Sequence, residues 1–263
     1  MFLLRPAPYG ARASDGQSPP SSASWRTTDG RGRIKNMNDK ETKVALFDLD
    51  GTLVKAHLWV GLAKYNLKNK ENIISTLGYL ITHTILMIPW KMKLMSSQYF
   101  YKSWVQDMPQ LIKGVDNEKA KEIFNWLADY YLLPTLRNDT HEILKKHQKE
   151  GFITILISGA FQGLLDIIAN RLGFNFAIGT ESEISQNKFT GHIIAPACSG
   201  QGKLEKTKRF FSEKGLKINF KESFAYADSF VDLPILELVG NPVAVSPDEK
   251  LKEFAQIKGW QII

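Results

Sequence analysis

The sequence is almost without cysteine: its 263 residues contain one, Cys198. A single cysteine excludes an internal disulfide and fits a reducing compartment, so we expect a cytoplasmic protein. It also offers a lone candidate for a catalytic thiol, but His192 is the nearest base along the chain and nothing in the pattern marks the two as a pair. Stability must therefore come from the hydrophobic residues, which at 43% are numerous enough for a sizeable core.

Arginine is scarce after residue 36, since the rest of the chain contains three: Arg137, Arg171 and Arg209. The leading segment holds five arginines among prolines and serines, and such a composition cannot bury enough apolar surface to order itself. We therefore predict a disordered tail over residues 1–36, translated upstream of a true start at Met37. The apolar run at residues 2–4 is too short for a signal peptide, while an Arg-rich, acid-poor leader is also typical of organelle transit peptides.

Charge is absent from residues 72–90, an apolar stretch between Lys70 on one side and Lys91 on the other. Its length approaches that of a membrane span. A single span would, however, separate the candidate site residues that precede it from those that follow it, on opposite sides of a bilayer. We therefore expect a buried helix in this stretch, with contact at a membrane interface, but no spanning, as the second interpretation.

What the sequence does contain is a pair of acids at the end of an apolar run. Residues 43–47 are predicted as a buried strand, and Asp48-Leu49-Asp50-Gly51-Thr52 follows it, with Gly51 permitting a tight turn. Two carboxylates this close repel each other unless one holds a proton or a cation lies between them, and Mg²⁺ prefers such oxygen ligands. The alternative is an ordinary surface turn, since Asp and Gly are common turn residues.

Strands alternate with helices along the rest of the chain, which is typical of a parallel sheet with helices on both faces. The predicted strands lie at residues 152–157, 223–227 and 242–245. The predicted helices cover residues 161–172, 203–214 and 231–239, and two more are capped near Asn138 or Asp139 and at Asp248. A hairpin is expected where residues 181–184 and 189–194 flank a polar turn.

One gap between these elements is far longer than a crossover connection needs. It runs from Asp50 to the next strand end at Ser158 and is predicted to be mostly helical. We therefore divide the globular part into a core, residues 37–53 and 134–263, and a helical cap, residues 54–133, inserted after the first strand. Asp116 is the expected N-cap of a helix in the second half of this cap.

Three further polar signals end predicted strands or open predicted helices. Ser158-Gly159 ends the second strand, where the hydroxyl and the following amides could donate to phosphate oxygens. Lys203 opens a helix behind residues 199–202, where backbone N–H groups and the helix dipole favour an anion. Asp228 and Asp232 are four residues apart at a helix start and so share one face. Taken singly, each has a plainer interpretation: a turn residue, a solvated lysine and an N-cap.

Together these residues resemble the motifs of the haloacid dehalogenase superfamily of hydrolases, in the same order along the chain. The matching segments are Asp48-Leu49-Asp50-Gly51-Thr52, Ile157-Ser158-Gly159, Gly202-Lys203 and Asp228-Ser229-Phe230-Val231-Asp232. The region from Asp232-Leu233-Pro234 to Trp260 resembles the phosphoserine-phosphatase-like branch. Ala227 is a small departure, because relatives usually carry glycine before the aspartate.

The resemblance implies a Rossmann-like core and a role for each of these residues. Asp48 would attack phosphorus and form an aspartyl-phosphate, while Asp50 would protonate the leaving oxygen and then activate water. The phosphoryl oxygens would be bound by Ser158, Gly159 and Lys203. The implied ligands of Mg²⁺ are Asp48, the backbone carbonyl of Asp50, Asp228 and, in support, Asp232.

We therefore expect an α/β enzyme, a Mg²⁺-dependent phosphatase that hydrolyses a small phosphomonoester and has no nucleic acid as partner. Three alternatives stay open. The enzyme could be phosphoserine phosphatase proper, it could pass the phosphoryl group to a second hydroxyl as a phosphotransferase, or the domain could bind a phosphate or lipid headgroup without catalysis. The two-acid turn argues against the last, because binding alone does not require Asp50. The sequence makes no prediction of oligomeric state.

The cap lacks the residues with which relatives hold phosphoserine. In those relatives a cap arginine grips the substrate carboxylate and a glutamate its amine, but no arginine occurs here between Arg33 and Arg137, and the first glutamate after the catalytic turn is Glu71. Lysine does not supply the two-pronged fork that fits a carboxylate. The cap is instead rich in tryptophan and tyrosine, so we expect weak phosphoserine turnover and an apolar or cationic leaving group.

Overall fold

The computed structural model describes residues 26–28, 34–36 and 41–263, without the side chains of residues 26–28, 34–36, 97 and 98. The chain divides into two units, Met1–Lys40 and Glu41–Ile263. In the first unit, strands β1 (Arg26–Thr28) and β2 (Ile34–Asn36) pair antiparallel. The rest of the predicted disordered tail, residues 1–36, lies outside the described residues, so its disorder stays a prediction.

The second unit is built on a seven-stranded sheet whose central strand is β3 (Val44–Phe47). The other strands are β4 (Ile153–Phe161), β5 (Phe176–Ser185), β6 (Lys188–Ile194), β7 (Phe224–Ala227), β8 (Asn241–Ala244) and β9 (Gln261–Ile262). Their order across the sheet is β6-β5-β4-β3-β7-β8-β9, with the β5–β6 hairpin antiparallel and the other neighbouring pairs parallel. The predicted α/β fold is confirmed, and β3 is buried along its whole length, as a strand inside a covered parallel sheet should be.

A helical segment follows β3 and precedes β4, as the sequence predicts for a cap. Its helices are α1 (Leu58–Asn69), α2 (Ile73–Lys91), α3 (Ser97–Asp107) and α4 (Asn117–Trp126). The segment is completed by two 3-10 turns, at Met108–Ile112 and Leu133–Thr135, and by a π-helical turn at Leu127–Leu132. Asp116 caps α4 as predicted, because its carboxylate accepts the N–H of Lys119 at 2.8 Å. The boundaries of the cap at residues 54 and 133 stay predictions.

Apart from α8, the core helices agree with the sequence except near their ends. They are α5 (Asn138–Lys149), α6 (Gln162–Leu172), α7 (Gln201–Glu213), α8 (Leu233–Leu236) and α9 (Glu249–Lys258). Asp248 caps α9 as predicted. The helix N-cap predicted at Asn138 or Asp139 is wrong, because Arg137 occupies the N-cap position of α5. The Asp139 carboxylate instead pairs with the Arg137 guanidinium at 3.0 Å.

The helix predicted over residues 231–239 is much shorter in the structure. A 3-10 turn, Phe230–Asp232, leads directly into the short α8. Beyond α8 the N–H groups of Leu238 and Val239 bond the carbonyls three residues back, at 3.3 and 3.5 Å. The Gly240 N–H then bonds the Phe220 carbonyl at 2.7 Å. This tertiary bond turns the chain toward β8, which the local sequence does not reveal.

Aromatic packing holds the central strands together beneath their carboxyl ends. The ring of Phe47 on β3 stacks on that of Tyr226 on β7, with centroids 4.5 Å apart, and Phe174 meets its edge at 5.7 Å. The Tyr226 hydroxyl in turn lies 2.8 Å from Nε2 of His147 on α5. Because β4 and β7 flank β3, the carboxyl ends of three strands lie side by side, which is where ligands bind in open α/β sheets.

The expectation that α2 is a buried helix is wrong. Its apolar window is 17% buried, and its buried residues are Thr76, Tyr79 and His83. Among the described residues it is the one helix long and apolar enough, by length and composition, to cross a membrane. The error has a physical origin, since a stretch that is apolar all round does not indicate which of its faces packs against the domain.

A buried amide joins three parts of the cap. Asn66 on α1 is fully buried and donates to Thr76 Oγ1 of α2 at 2.9 Å and to the Leu111 carbonyl at 2.8 Å. We predict that Asn66→Ala lowers the free energy of unfolding by about 1–3 kcal/mol, because it removes a partner from buried polar groups. Urea denaturation of the two proteins measures the difference.

The matched control for that variant is Asn69→Ala, on the same helix. Asn69 is exposed, and its amide bonds the Tyr65 carbonyl one turn earlier at 2.9 Å. Its replacement should change the free energy of unfolding by less than about 0.5 kcal/mol. Equal losses in the two variants would show that the bonds to α2 and to the Leu111 carbonyl add no stability of their own.

Candidate active site

The predicted site residues come from distant parts of the chain and line one cavity of about 380 Å³. They are Asp48, Asp50, Ser158, Gly159, Lys203, Asp228 and Asp232. The parallel sheet explains their convergence, because the neighbouring strands β3, β4 and β7 carry Asp48, Ser158 and Asp228 at or near their carboxyl ends. Cap residues, among them Trp59 and Trp104, complete the lining.

Ser158 lies where strand β4 is irregular. The strand predicted to end at Ile157 continues to Phe161, and its register against β5 shifts between these two residues. The buried Ser158 hydroxyl accepts the N–H of Ala160 at 3.2 Å. A side chain at Gly159 would overlap Val105 of α3, so the glycine lets the cap pack closely over this edge of the site.

Lys203 on the first turn of α7 is the positive centre of the site. Its Nζ lies 2.8 Å from Oδ1 of Asp48 and 2.7 Å from Oδ1 of Asp232, and 4% of its side chain is exposed. Burial acts to lower the pKa of Lys203, but the charges of Asp232 and Asp48 outweigh it and hold the pKa above its ordinary value. The ammonium is therefore a permanent cation that joins two of the predicted motifs.

Three carboxylates form an acidic cluster around this lysine. One oxygen from each of Asp48, Asp228 and Asp232 lies within 4.8 Å of the others. Burial raises the pKa of Asp48 to about 6, against the opposing charge of Lys203. Burial, together with the charges of Asp48 and Asp232, raises the pKa of Asp228 to about 8. The cluster thus carries more negative charge than one lysine offsets, and a further cation would relieve the repulsion.

The residues of the cluster fit a divalent cation. Carboxylate oxygens are the ligands that hard divalent cations prefer, and the Thr52 hydroxyl steadies one of them by donating to Asp228 Oδ1 at 3.3 Å. Gly51 makes room for the arrangement, since its φ is 82° and a Cβ there would overlap the Asp228 carboxylate. The glycine of the two-acid turn is therefore needed for the third acid to approach.

The Asp50 side chain is not among the three carboxylates that the structure groups. Its Oδ1 accepts the N–H of Leu58, the first residue of α1, at 3.2 Å. Burial and the neighbouring charge of Asp48 raise its pKa to about 7. A carboxyl with such a pKa can both give and take a proton near neutral pH, which suits a general acid and base.

Asp248 and Tyr101 are among the cavity residues that the sequence did not assign to a site. Asp248 Oδ2 accepts the Ser229 hydroxyl at 3.0 Å and the Phe230 N–H at 2.9 Å, so it orders the loop that carries Asp228. The N-cap pattern reveals Asp248, but its contact with this loop is tertiary. Tyr101 of α3 lines the same cavity, and burial with the charges of Asp248 and Asp228 raises its pKa.

The structure gives no support to a catalytic thiol. Cys198 lines the cavity, yet burial raises the pKa of its thiol to about 12. A thiol with that pKa stays protonated at neutral pH and is a poor nucleophile. His192, the base considered for it, is exposed on β6.

The family model for haloacid dehalogenase-like hydrolases matches residues 45–237, which is most of the chain. The chain belongs to this family. The resemblance inferred from the motifs is thereby confirmed, and with it the prediction of an enzyme of the haloacid dehalogenase type. The matched region contains the site residues at both of its ends, from Asp48 to Asp232.

Curated relatives and solved structures of the phosphoserine-phosphatase-like branch resemble this hydrolase. It is 28% identical over 225 residues to phosphoserine phosphatase SerB1 of Mycobacterium tuberculosis, across 84% of this chain and 70% of that protein. It is 25% identical over 225 residues to a histidinol-phosphatase of Neisseria meningitidis, across 84% of this chain and 97% of that protein.

The solved structures support the same fold. A protein of unknown function from Bordetella pertussis superposes with a TM-score of 0.72 at 23% identity, covering 85% of this chain and 99% of its own. A substrate-bound phosphoserine phosphatase superposes with a TM-score of 0.59 at 20% identity, covering 86% of this chain and 94% of its own. Both alignments are consistent with a Rossmann-like core that carries a helical cap.

Removal of the central lysine should destabilise this hydrolase. Lys203→Met would leave the buried carboxylates of Asp48 and Asp232 facing each other, so we predict a loss of about 3–5 kcal/mol in the free energy of unfolding at neutral pH. Urea denaturation with a metal chelator present measures the loss. The loss should shrink at acidic pH, where protons neutralise the carboxylates.

Lys206→Met is the matched control on the same helix. Lys206 is also buried, but its partner Glu181, at 3.2 Å, has a side chain that is 44% exposed. Water can solvate that carboxylate when the lysine is gone, so the electrostatic part of the loss should be within about 1 kcal/mol. Similar, pH-independent losses in both variants would contradict a special role for Lys203.

Proposed function

We propose that the protein is a Mg²⁺-dependent phosphomonoesterase that works through an aspartyl-phosphate on Asp48. One observation carries the proposal: Asp48, Asp50 and Lys203 present a carboxylate, a carboxyl with a pKa of about 7 and a fixed ammonium to a single cavity. A nucleophile, a proton donor and a stabilising cation are what phosphoryl transfer requires. Membership of the haloacid dehalogenase-like hydrolases and similarity to two curated phosphatases support it.

The proposed reaction has two halves. First, a carboxylate oxygen of Asp48 attacks phosphorus, the bond from phosphorus to the leaving oxygen breaks, and Asp50 gives that oxygen its proton. Then Asp50 takes a proton from water, the water oxygen attacks phosphorus, and the bond to Asp48 breaks to release inorganic phosphate. A covalent intermediate of this kind replaces one difficult step by two easier ones.

The surrounding groups would hold the phosphoryl oxygens and neutralise their charge. The proposed groups are Lys203 of α7 and, on the irregular part of β4, the Ser158 hydroxyl and the Gly159 amide, and the fact that all three residues line the cavity supports this role. Asp232 would act as a positioning residue, because its carboxylate holds the Lys203 ammonium. Mg²⁺, bound by Asp48, Asp228 and the Asp50 carbonyl, would offset the repulsion between an anionic nucleophile and an anionic ester.

The cap side of the cavity favours a particular kind of leaving group. The rings of Trp59 and Trp104 meet edge to face with centroids 4.6 Å apart, and Tyr101 completes an aromatic wall. No arginine lies between Arg33 and Arg137 to pair with a substrate carboxylate. We therefore propose an apolar or cationic leaving group, since aromatic faces bind hydrocarbon and attract cations.

Two esters are suggested by named relatives. Histidinol phosphate has a cationic leaving group with an aromatic ring, which suits the wall, and the relative called histidinol-phosphatase is aligned over 97% of its length. Phosphoserine is the alternative, because the SerB1 relative is named for it. Transfer to a second hydroxyl instead of water would use the same intermediate. A cytoplasmic location is proposed from the lone, buried Cys198.

Replacement of the two acids tests the mechanism. Asp48→Asn should abolish both turnover of p-nitrophenyl phosphate and the covalent phosphoenzyme seen by mass spectrometry after acid quenching. Asp50→Asn should still form the phosphoenzyme but lose about 10²–10⁴-fold in turnover, because general acid–base catalysis is lost. Chelation of Mg²⁺ should stop turnover reversibly.

Asp166→Asn is the control for these variants. Asp166 is an acid of α6, outside the cavity residues described, whose pKa burial also raises. Its replacement should leave turnover of p-nitrophenyl phosphate near normal. Near-normal turnover in Asp48→Asn would overturn the assignment of the nucleophile.

A comparison of esters tests the substrate class. We predict that kcat/KM for phosphoserine is lower than for the best of histidinol phosphate, phosphocholine, phosphoethanolamine and a lysophosphatidate. Trp59→Leu should reduce kcat/KM for the preferred ester, whereas Trp126→Leu, a cap tryptophan outside the cavity residues described, should not. A preference for phosphoserine of tenfold, about 1.4 kcal/mol of transition-state stabilisation, would refute the proposed leaving group.

A further inference from the structure

The outer face of α2 carries a row of large apolar side chains exposed to solvent. The row, here called the α2 stripe, consists of Ile74, Leu77, Ile81, Ile85, Ile88 and the C-cap residue Met92. The spacing of three and four residues is that of one face of a helix, and the exposed fractions run from 46% to 88%. A continuous apolar surface of this kind is typical of a binding surface.

The opposite face of α2 holds the helix in place through polar groups. Thr76 accepts a hydrogen bond from Asn66 at 2.9 Å, and the Tyr79 hydroxyl donates to the Trp104 carbonyl at 3.2 Å. His83 is buried beside Asp107, with 3.5 Å between Nε2 and Oδ2. The inward side also packs aromatic rings, since Trp90 stacks on Phe100 with centroids 4.6 Å apart. Turning the stripe inward would break all of these contacts.

Lysines frame the α2 stripe at both ends. Lys68 and Lys70 precede it and Lys91 and Lys93 follow it, all exposed, with no charged residue between Asn72 and Trp90. The single acid between Lys68 and Leu94 is Glu71, whose carboxylate pairs with Lys119 at 3.2 Å. An apolar face between basic ends is complementary to a bilayer surface, where hydrocarbon lies beneath anionic headgroups.

We propose that the α2 stripe docks this enzyme on the surface of an anionic lipid bilayer, with α2 lying along the interface. A spanning orientation does not fit, because Asp48 precedes α2 and Ser158 follows it, yet both line one cavity. A second copy fits poorly as the occupant. Two α2 stripes packed together, in either direction, would bring the lysines at the ends of one helix against those of the other.

Helix α2 also connects the proposed docking surface to the catalytic cavity. Met87 and Trp90, which are less exposed than the stripe, line that cavity. Docking would therefore bring the part of the cavity lined by Met87 and Trp90 near the headgroup layer. Binding to vesicles is measured without turnover, so the docking proposal and the proposed phosphatase reaction can fail separately.

Co-sedimentation with lipid vesicles tests the proposal on the full chain. The protein should pellet with vesicles that mix phosphatidylglycerol and phosphatidylcholine. It should bind vesicles of pure phosphatidylcholine more weakly, and high salt should weaken its binding to the mixed vesicles. The double variant Ile81→Gln/Ile85→Gln should bind at least tenfold more weakly, because it removes two isoleucines that docking would bury in the bilayer. Lys91→Gln/Lys93→Gln should bind the anionic vesicles about fivefold more weakly for each lysine.

The matched control is Ile194→Gln/Ile257→Gln, which removes two exposed isoleucines outside α2, 51% and 82% exposed. It should bind vesicles like the unmodified chain, and all these variants should keep the same melting temperature and p-nitrophenyl phosphate turnover. Equal binding by both isoleucine pairs, or no binding to anionic vesicles, would overturn the proposal. So would a dimer in sedimentation that Ile81→Gln/Ile85→Gln dissolves, or recovery only in detergent.

Discussion

The contact of one buried ammonium with two carboxylates is the interaction on which this site depends. The Nζ of Lys203 lies within 3 Å of both Asp48 and Asp232, three positions that no short stretch of chain brings together. Two buried carboxylates near a third would otherwise repel one another, and the folded state would have to protonate them. The lysine keeps them in place, and the charge that it leaves uncompensated is what makes the cluster receptive to a divalent cation.

The parallel sheet supplies the geometry that this charge cluster requires. Strand β3 lies between β4 and β7 in the sheet, so the residues at the carboxyl ends of the three strands lie close together. Small residues then let the parts approach, since Gly51 accommodates the Asp228 carboxylate and Gly159 accommodates the cap at Val105. The site is therefore closely packed where charge is concentrated, and charges held in fixed positions are what electrostatic stabilisation of a transition state requires.

The cap adds two different surfaces through the same helices. Its inner side contributes an aromatic wall to the cavity, including Trp59 and Trp104, while the outer side of α2 exposes the apolar stripe. Polar contacts such as that between Asn66 and Thr76 hold α2 in this orientation. The outer side of α2 exposes isoleucines while its inner side contributes Met87 and Trp90 to the cavity, so one helix joins the apolar stripe to the candidate site.

The fold class and the family could be predicted from the sequence, and so could the seven motif residues that the structure brings into one cavity. Apolar runs that end in Asp48, near Ser158 and in Asp228 mark parallel strands, and the meeting of such strand ends follows from the topology of any parallel sheet. Helix N-caps such as Asp116 and Asp248 bond an N–H three residues later, so they can be predicted from the local sequence. Only the structure reveals where α8 ends, that Asp248 bonds the loop that carries Asp228, and which face of α2 points outward. Each of these depends on contacts between segments far apart in the chain, whereas hydrophobic pattern and propensity report only on neighbours a few residues away.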